Sequence, residues 1–389
     1  MSRGISTRRT AVLAGAIALS AAAGLATSTH ANGAEPLTIA VEGPQSGDQA
    51  SNGRDQLRGA QLAARQANAH GGVLGRQVRI HRADDKGDKA NAAPVARRVI
   101  GQGIGFLVGP FNSSVGIVNL PLYRQNRVLP VWNTSRDDTA GVGATVQPMN
   151  SQIAPIESRY IATVGPRRVT MLVDDGPNGA FTVGMADRLT KRLRAAGVAV
   201  TRISIQEAVG PDGKPAVPPG YYAQKVADAI ATNPDLLYVS SYFPEGARIA
   251  RALAAAGNAP RCLMGLANVD NGFLAATNLK EAQRCKFVGV VAAGQMPSAR
   301  AYVQQYRRAF NRRPGVWGSF YYDSAKVLFA AIERAGSERF GAVAKALRAT
   351  RGHRGATGAI SIDPSSGYRR DVPVDILTVN ARERFVIAT

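Results

Sequence analysis

Hydroxyls and amides occupy the places where this chain could do chemistry. Asn112, Ser113 and Ser114 follow a short apolar run, Phe106–Val108, and a Gly109-Pro110 break. They precede residues 115–126, which have the spacing of one helix despite Pro121. Side-chain oxygens at that point are what a helix start requires. A second apolar run, 128–132, is followed by Asn133, Thr134 and Ser135. Two parallel strands joined by a helix put both polar loops on one edge of a sheet. That edge, beyond the carboxyl ends of the strands, is where open α/β sheets bind ligands. Free N–H groups and hydroxyls at a helix start suit a carboxylate or another oxyanion.

Other chemistries find less support. Asp84-Asp85 could be an acid/base or metal pair, but adjacent carboxylates in a loop more often cap and solvate it, and Asp88 precedes a further helix, 90–100. Gly101, Gly103 and Gly105 resemble a dinucleotide pattern but come before a strand, so they read as a helix stop. No Gly-x-Ser-x-Gly elbow, P-loop or HExxH occurs, and Ser113 has no sequence-evident histidine partner, so no catalytic residue is assigned. Histidines are scarce and none has metal-ligand spacing with the two cysteines, Cys262 and Cys285; neither metal nor cofactor is expected. In an oxidising compartment that pair can close a structural disulfide, the alternative being two inert buried thiols.

The elements that must position these residues alternate between strand and helix, which indicates an α/β fold. Residues 1–31 read as an export signal: Arg3, Arg8 and Arg9 form the charged start, 11–26 is apolar and small, and cleavage fits after Ala31 or Ala34. Ser6-Thr7-Arg8-Arg9-Thr10 resembles a twin-arginine signal without the expected aromatic residue. Strands are expected at 37–41 and 78–81, with Asn52-Gly53 in a flexible turn before a helix at 55–69. After about residue 150 the rhythm restarts, so two similar lobes are expected within the 389 residues. Residues 210–220, with four prolines, read as an exposed loop. Residues 358–362 and 374–379, around an Asp363…Gly367 turn, are expected to close the chain as a β-hairpin. The formal charge of +21 comes from arginines spread along the whole chain without a basic block or RNA-binding aromatic motif, so no nucleic-acid partner is expected. An Arg-rich surface working near anionic headgroups accounts for it.

The series Gly43-Pro-Gln-Ser-Gly47, Asn68-Ala-His-Gly-Gly-Val-Leu-Gly75, Asp84-Asp85, Gly109-Pro-Phe-Asn-Ser-Ser114, Tyr242 after a strand, and Gly358-Ala-Ile-Ser-Ile-Asp363 resembles the type I periplasmic solute-binding proteins. The resemblance is to their leucine/isoleucine/valine-binding branch, which serves ABC importers. It implies two Rossmann-like lobes with parallel-rich sheets, joined by three hinge crossovers, that close on a small-molecule solute. The implied first lobe is 36–150 with 293–355 and the second 151–292 with 356–389, hinged near 147–151, 292–294 and 354–357. The implied partner is an ABC permease in the inner membrane, and the implied state is a periplasmic monomer. A periplasmic sensing module that reports to a membrane receptor would share this fold. Carried over residue by residue, the ligand carboxylate meets Ser113 and the loop Thr134, Ser135 and Arg136. Asn52, Asn178 and Tyr242 match further pocket contacts. Where the branched-chain binders have an acid for the ammonium group, this chain has Ala267-Asn268, with Asp270 as a substitute nearby. Asn268 is therefore a candidate contact, and with the extra cation Arg136 the pattern implies a ligand richer in negative charge or lacking an amine, an ordinary hydrophobic amino acid being the alternative. The family's near-N-terminal disulfide positions hold Gly87 and Asn112.

Overall fold

The computed structural model describes residues 35–139, 141–206 and 217–388. The expected export signal at 1–31 lies outside them, as do 210–216 of the expected 210–220 loop. The described residues form one compact unit.

The first half alternates β1 (Leu37–Gly43), α1 (Ala50–Ala69), β2 (Val78–Asp84), α2 (Lys89–Gly101), β3 (Phe106–Val108), α3 (Ser113–Gln125), β4 (Leu129–Trp132) and β5 (Ala144–Thr145). These strands form a five-stranded sheet in the order β2-β1-β3-β4-β5, every pair parallel. The rhythm then repeats as α4 (Asn150–Val164), β6 (Arg168–Asp174), α5 (Ala180–Ala195), β7 (Ala199–Ile205), α6 (Tyr221–Ala231), β8 (Leu236–Ser240), α7 (Phe243–Ala255), β9 (Arg261–Met264), α8 (Asn271–Ala276), α9 (Leu279–Ala282) and β10 (Lys286–Gly289). The chain continues as α10 (Arg300–Phe310), α11 (Gly318–Ala335), α12 (Phe340–Arg348), β11 (His353–Gly355), β12 (Gly358–Ile360), β13 (Asp375–Val379) and β14 (Phe385–Ile387). The second sheet has seven strands in the order β14-β13-β10-β9-β8-β6-β7; β6 to β10 pair in parallel, and β13 and β14 add an antiparallel edge.

The path between the sheets follows from packing. The chain leaves the first sheet after β5 and builds the second through β10. It then returns as α11, which packs on α1 and against β3 and β4, and finally goes back to the second sheet as β13 and β14. Strands buried on both faces carry the core: Ile39, Leu107, Val131, Leu172, Val239 and Leu263 are all fully buried. Cys262 at β9 and Cys285 before β10 are joined by a disulfide.

Three local expectations need correction. Asn52-Gly53 is not a turn, because α1 begins at Ala50. Gly53 is there for space: a Cβ would lie 2.0 Å from the Pro44 carbonyl oxygen, so the helix can approach the preceding loop only at glycine. One turn and a half further on, a Cβ on Gly59 would lie 2.0 Å from the Gly318 carbonyl, which lets α1 and α11 cross closely. The closing hairpin is differently paired. Gly358–Ile360 pairs with His353–Gly355 in a small sheet of its own, and Asp375–Val379 pairs with β10 and β14. The Ile362–Arg369 bridge closes the Asp363…Gly367 turn without reaching the second expected arm. Asp84 and Asp85 are not a solvated pair. Asp84 accepts from the Gln45 and Ser46 amides and the Ser46 hydroxyl, and Asp85 is fully buried on the Gly87 amide.

Candidate functional site

The carboxyl ends of β3, β4 and β5 from the first sheet face those of β6, β8 and β9 from the second. A cavity of about 20 Å³ lies between them, lined by Phe111, Ser113, Ser135, Gln147, Phe181, Tyr242, Leu266 and Ala267. Its volume is roughly that of one water. All eight lining residues are buried.

The polar side comes from the first sheet. Asn112 holds the N-cap position of α3 with extended backbone but makes no side-chain cap bond, so the first amides of the helix are not closed off by that side chain. Ser113 follows as the first helical residue. Its hydroxyl accepts from the Arg136 backbone N–H at 3.2 Å. The Ser135 hydroxyl accepts from Gln147 Nε2 at 3.1 Å, while Gln147 Oε1 has no partner in the protein. The result is a cluster of neutral hydrogen-bonding groups at a helix N-terminus, suited to an anion.

The second sheet supplies bulk. Phe181 sits in the first turn of α5 and Tyr242 just before α7, with ring centroids 6.0 Å apart. Leu266 and Ala267 come from the short turn after β9. From the first side Phe111, which follows β3, packs edge-on against Trp317 at 5.4 Å. Burial pushes the Tyr242 hydroxyl well above its ordinary value, with Asp174 adding to the effect, so it stays a neutral donor.

The edges are also tied together around the cavity. Arg136 Nη1 donates to the Ala180 carbonyl at 3.1 Å, and the Lys89 amide donates to Asn178 Oδ1 at 2.9 Å. Arg188 on α5 pairs with Asp137 at 2.7 Å. These contacts join loops of the first sheet to α5 and the loop before it.

The structure thus brings Ser113, Ser135 and Tyr242 to one cavity and leaves the other sequence candidates out of its lining. The Thr134 hydroxyl bonds Thr139 at 2.6 Å. Arg136 directs its guanidinium onto Asp138 and Ala180, leaving its backbone to Ser113. Asn178 spans the edges through Lys89, and Asn52 is buried in the first turn of α1. Asn268 donates to the Ser241 and Gly265 carbonyls, while its neighbour Ala267 faces the cavity. Asp270 caps α8 through the Gly272 amide and meets Ser51 at 3.4 Å; burial raises its pKa to about 7.

Sequence reasoning missed Phe111, Gln147, Phe181 and Leu266 as lining residues. Phe111 and Phe181 each stand within a few residues of a strand's carboxyl end, a signal that could have marked them. Gln147 sits in the segment expected as a hinge. A larger groove of about 790 Å³ lies at the opposite, amino ends of β1 and β3. Within it Arg76 pairs with Glu338 and Arg79 bonds Thr38, and it lies away from the ligand-binding edge of such sheets.

Comparisons with known proteins give the family and the fold. The family model described as periplasmic binding protein matches residues 36–382. The Leu/Ile/Val-binding protein BraC3 of Rhizobium johnstonii is 30% identical over 319 residues, covering 80% of this chain and 83% of its own. Among solved structures, the leucine binding protein LivK of Thermotoga maritima shares the fold with a TM-score of 0.80 at 22% identity, over 91% of this chain and 98% of that one. A solute binding protein of an ABC transporter from Rhodopseudomonas palustris, in complex with 3,4-dihydroxybenzoic acid, aligns with a TM-score of 0.75 at 19% identity, over 91% and 96%.

Proposed function

This chain belongs to the periplasmic binding protein family, and on that premise we propose that it is the extracytoplasmic solute-binding subunit of an ABC importer. It captures a small carboxylate-containing solute, an amino acid or a related organic acid, between two lobes. The observation that carries this reading is the single cavity to which Ser113 and Ser135 come from one sheet edge and Tyr242 and Ala267 from the other.

In this reading the lobes are 36–150 with 293–355 and 151–292 with 356–389, hinged near 147–151, 292–294 and 354–357. The sheet membership of β13 and β14 and the packing of α11 on α1 support that division. The ligand's acid group lies at the start of α3 against Ser113 and Ser135, where amide dipoles and hydroxyls stabilise it without a buried cation. Its body lies against Phe111, Phe181 and Tyr242. A cavity holding one water cannot take such a solute without the edges separating, so uptake proceeds by opening and reclosing. Ligand contacts made from both sides then favour the closed state. The inter-edge bonds of Arg136, Asn178 and Arg188 are remade on closure. Residues 1–31 would direct export, by a twin-arginine-like signal, and the closed form would be read by an inner-membrane permease. The protein acts as a monomer and as a binder rather than a catalyst.

The test is a thermal-shift screen of the mature chain with aliphatic and aromatic amino acids, the matching amine-free carboxylates, amides and dicarboxylates. A ligand that binds only the folded state raises Tm. We expect at least one carboxylate to do so and its amide not to. A panel without any shift would overturn the reading.

A further inference from the structure

The cavity lining holds an unused acceptor and no charge. Among the described residues that line it, none is acidic or basic. Gln147 is 3% exposed, its Nε2 is spent on the Ser135 hydroxyl, and its Oε1 has no partner in the protein. A buried carbonyl oxygen left unmatched is costly, and a ligand group that donates to it removes that cost. Because one end of the Gln147 amide rests on Ser135, the free end lies close to the same hydroxyl that faces the ligand's acid group. The donor it awaits is therefore borne next to the carboxylate.

Charge decides which donor this is. An α-ammonium buried here would have no anion in the lining to compensate its lost hydration. The acids whose fields reach Tyr242, namely Asp174, Glu245 and Asp85, stand outside the lining. Asp85 is turned onto the Gly87 amide, and burial raises its pKa to about 7, which weakens it as a counter-ion. Asp270 is committed to capping α8. A hydroxyl sheds far less hydration than an ammonium and satisfies Gln147 Oε1 with one bond. The rest of the wall, Phe111, Phe181, Leu266 and the Tyr242 ring, suits an aromatic or branched apolar body.

We propose that Gln147 is a specificity-determining residue and that the chain captures amine-free 2-hydroxycarboxylates with an apolar, preferably aromatic, body in preference to the corresponding amino acids. This rests on the solute-capture reading above and sharpens its substrate class.

Calorimetry with five probes tests it: 3-phenyllactate, L-phenylalanine, 3-phenylpropanoate, which lacks both substituents, and the pair 2-hydroxy-4-methylpentanoate and L-leucine as the branched set. Expected for the natural chain is a hydroxy acid bound at least about tenfold more tightly than its amino acid. Gln147→Leu should weaken 3-phenyllactate by about tenfold and leave 3-phenylpropanoate within about twofold, since only the former uses Oε1. Gln147→Glu should lower the hydroxy-to-amino preference by supplying an anion for the ammonium. Amino acids bound as tightly as their hydroxy acids by the natural chain would overturn the proposal and leave solute capture standing. Equal losses for 3-phenyllactate and 3-phenylpropanoate in Gln147→Leu would assign Gln147 a merely structural role and also overturn it. Binding of none of the probes, with no carboxylate active in the thermal screen, would overturn both readings.

Discussion

The two edges that meet at the cavity are built alike and finished differently. Each consists of parallel strands whose carboxyl ends run into polar loops and helix starts. Beneath each edge a fully buried glutamate rests on a tyrosine: Glu42 accepts from Tyr123 at 2.7 Å, and Glu157 accepts from Tyr238 at 2.9 Å. Burial raises the pKa of both glutamates. Yet the first edge presents Ser113, Ser135 and Gln147, and the second presents Phe181, Tyr242, Leu266 and Ala267. The repeated scaffold holds position, while the lining is divided: one edge contributes two hydroxyls and an amide beside Phe111, and the other mostly apolar bulk. The supports differ too. Glu42 also accepts from Asn119 and has Asp85 for an electrostatic neighbour, whereas the second oxygen of Glu157 has no partner. Only the second sheet carries a disulfide among the described residues.

The largest expected effect tests the buried acids. Glu157 titrates near its ordinary 4.5 when unfolded, and burial raises it to about 8 in the fold. The folded state therefore holds the extra proton between those values, and this group's contribution to stability is full at low pH and lost as pH rises toward 8. The loss is on the order of 4 kcal/mol. Urea unfolding at pH 5 and pH 8 should show Glu157→Gln losing less stability across that range than the natural chain. Identical pH slopes would mean that the two buried glutamates are not the parallel pair described. Removing the second sheet's staple comes next. Cys262→Ser with Cys285→Ser should cost about 3 kcal/mol, read as a lower urea midpoint. If the midpoint does not move, the bond adds nothing to that half.

Smaller effects separate the edges themselves. Ser113→Ala removes one hydroxyl from the anion site and should weaken ligand binding by about 1–3 kcal/mol in calorimetry, beyond any stability lost with the Arg136 N–H bond. Unchanged affinity would remove Ser113 from the site. Thr134→Val should do the reverse. Its hydroxyl serves Thr139, so stability should fall by about 1 kcal/mol while affinity stays nearly constant. A larger loss of affinity in Thr134→Val than in Ser113→Ala would exchange their roles.

Much of this was readable beforehand. Apolar runs ended by Gly, Pro and Asn marked the strands, and the switch from strand to helix spacing marked an α/β chain with a restart near residue 150. Hydroxyls after a strand and before a helix pointed to Ser113, and the polar loop after the next strand to Ser135, whereas Tyr242 became a candidate only through the family resemblance. Asn52-Gly53 misled because Asn-Gly is a turn signal locally, whereas here glycine answers to the nearby Pro44 backbone, far more a matter of packing than of propensity. The closing strands misled because a turn at Asp363 is local but pairing is not: β13 finds β10 across the second sheet.

Determined by sequence alone were the element types, their order, and which loops fall at the carboxyl ends of strands, since these follow from short-range periodicity and turn chemistry. Left to tertiary structure was the direction of each side chain within those loops. Thr134 and Ser135 are adjacent and alike in composition, but one hydroxyl turns to Thr139 and the other to Gln147 and the cavity. Gln147, Phe181 and Ala267 joined them only because the edges of two sheets, built from distant stretches of chain, close on the same few cubic ångströms. No local pattern encodes that meeting, because it is set by how the whole core packs.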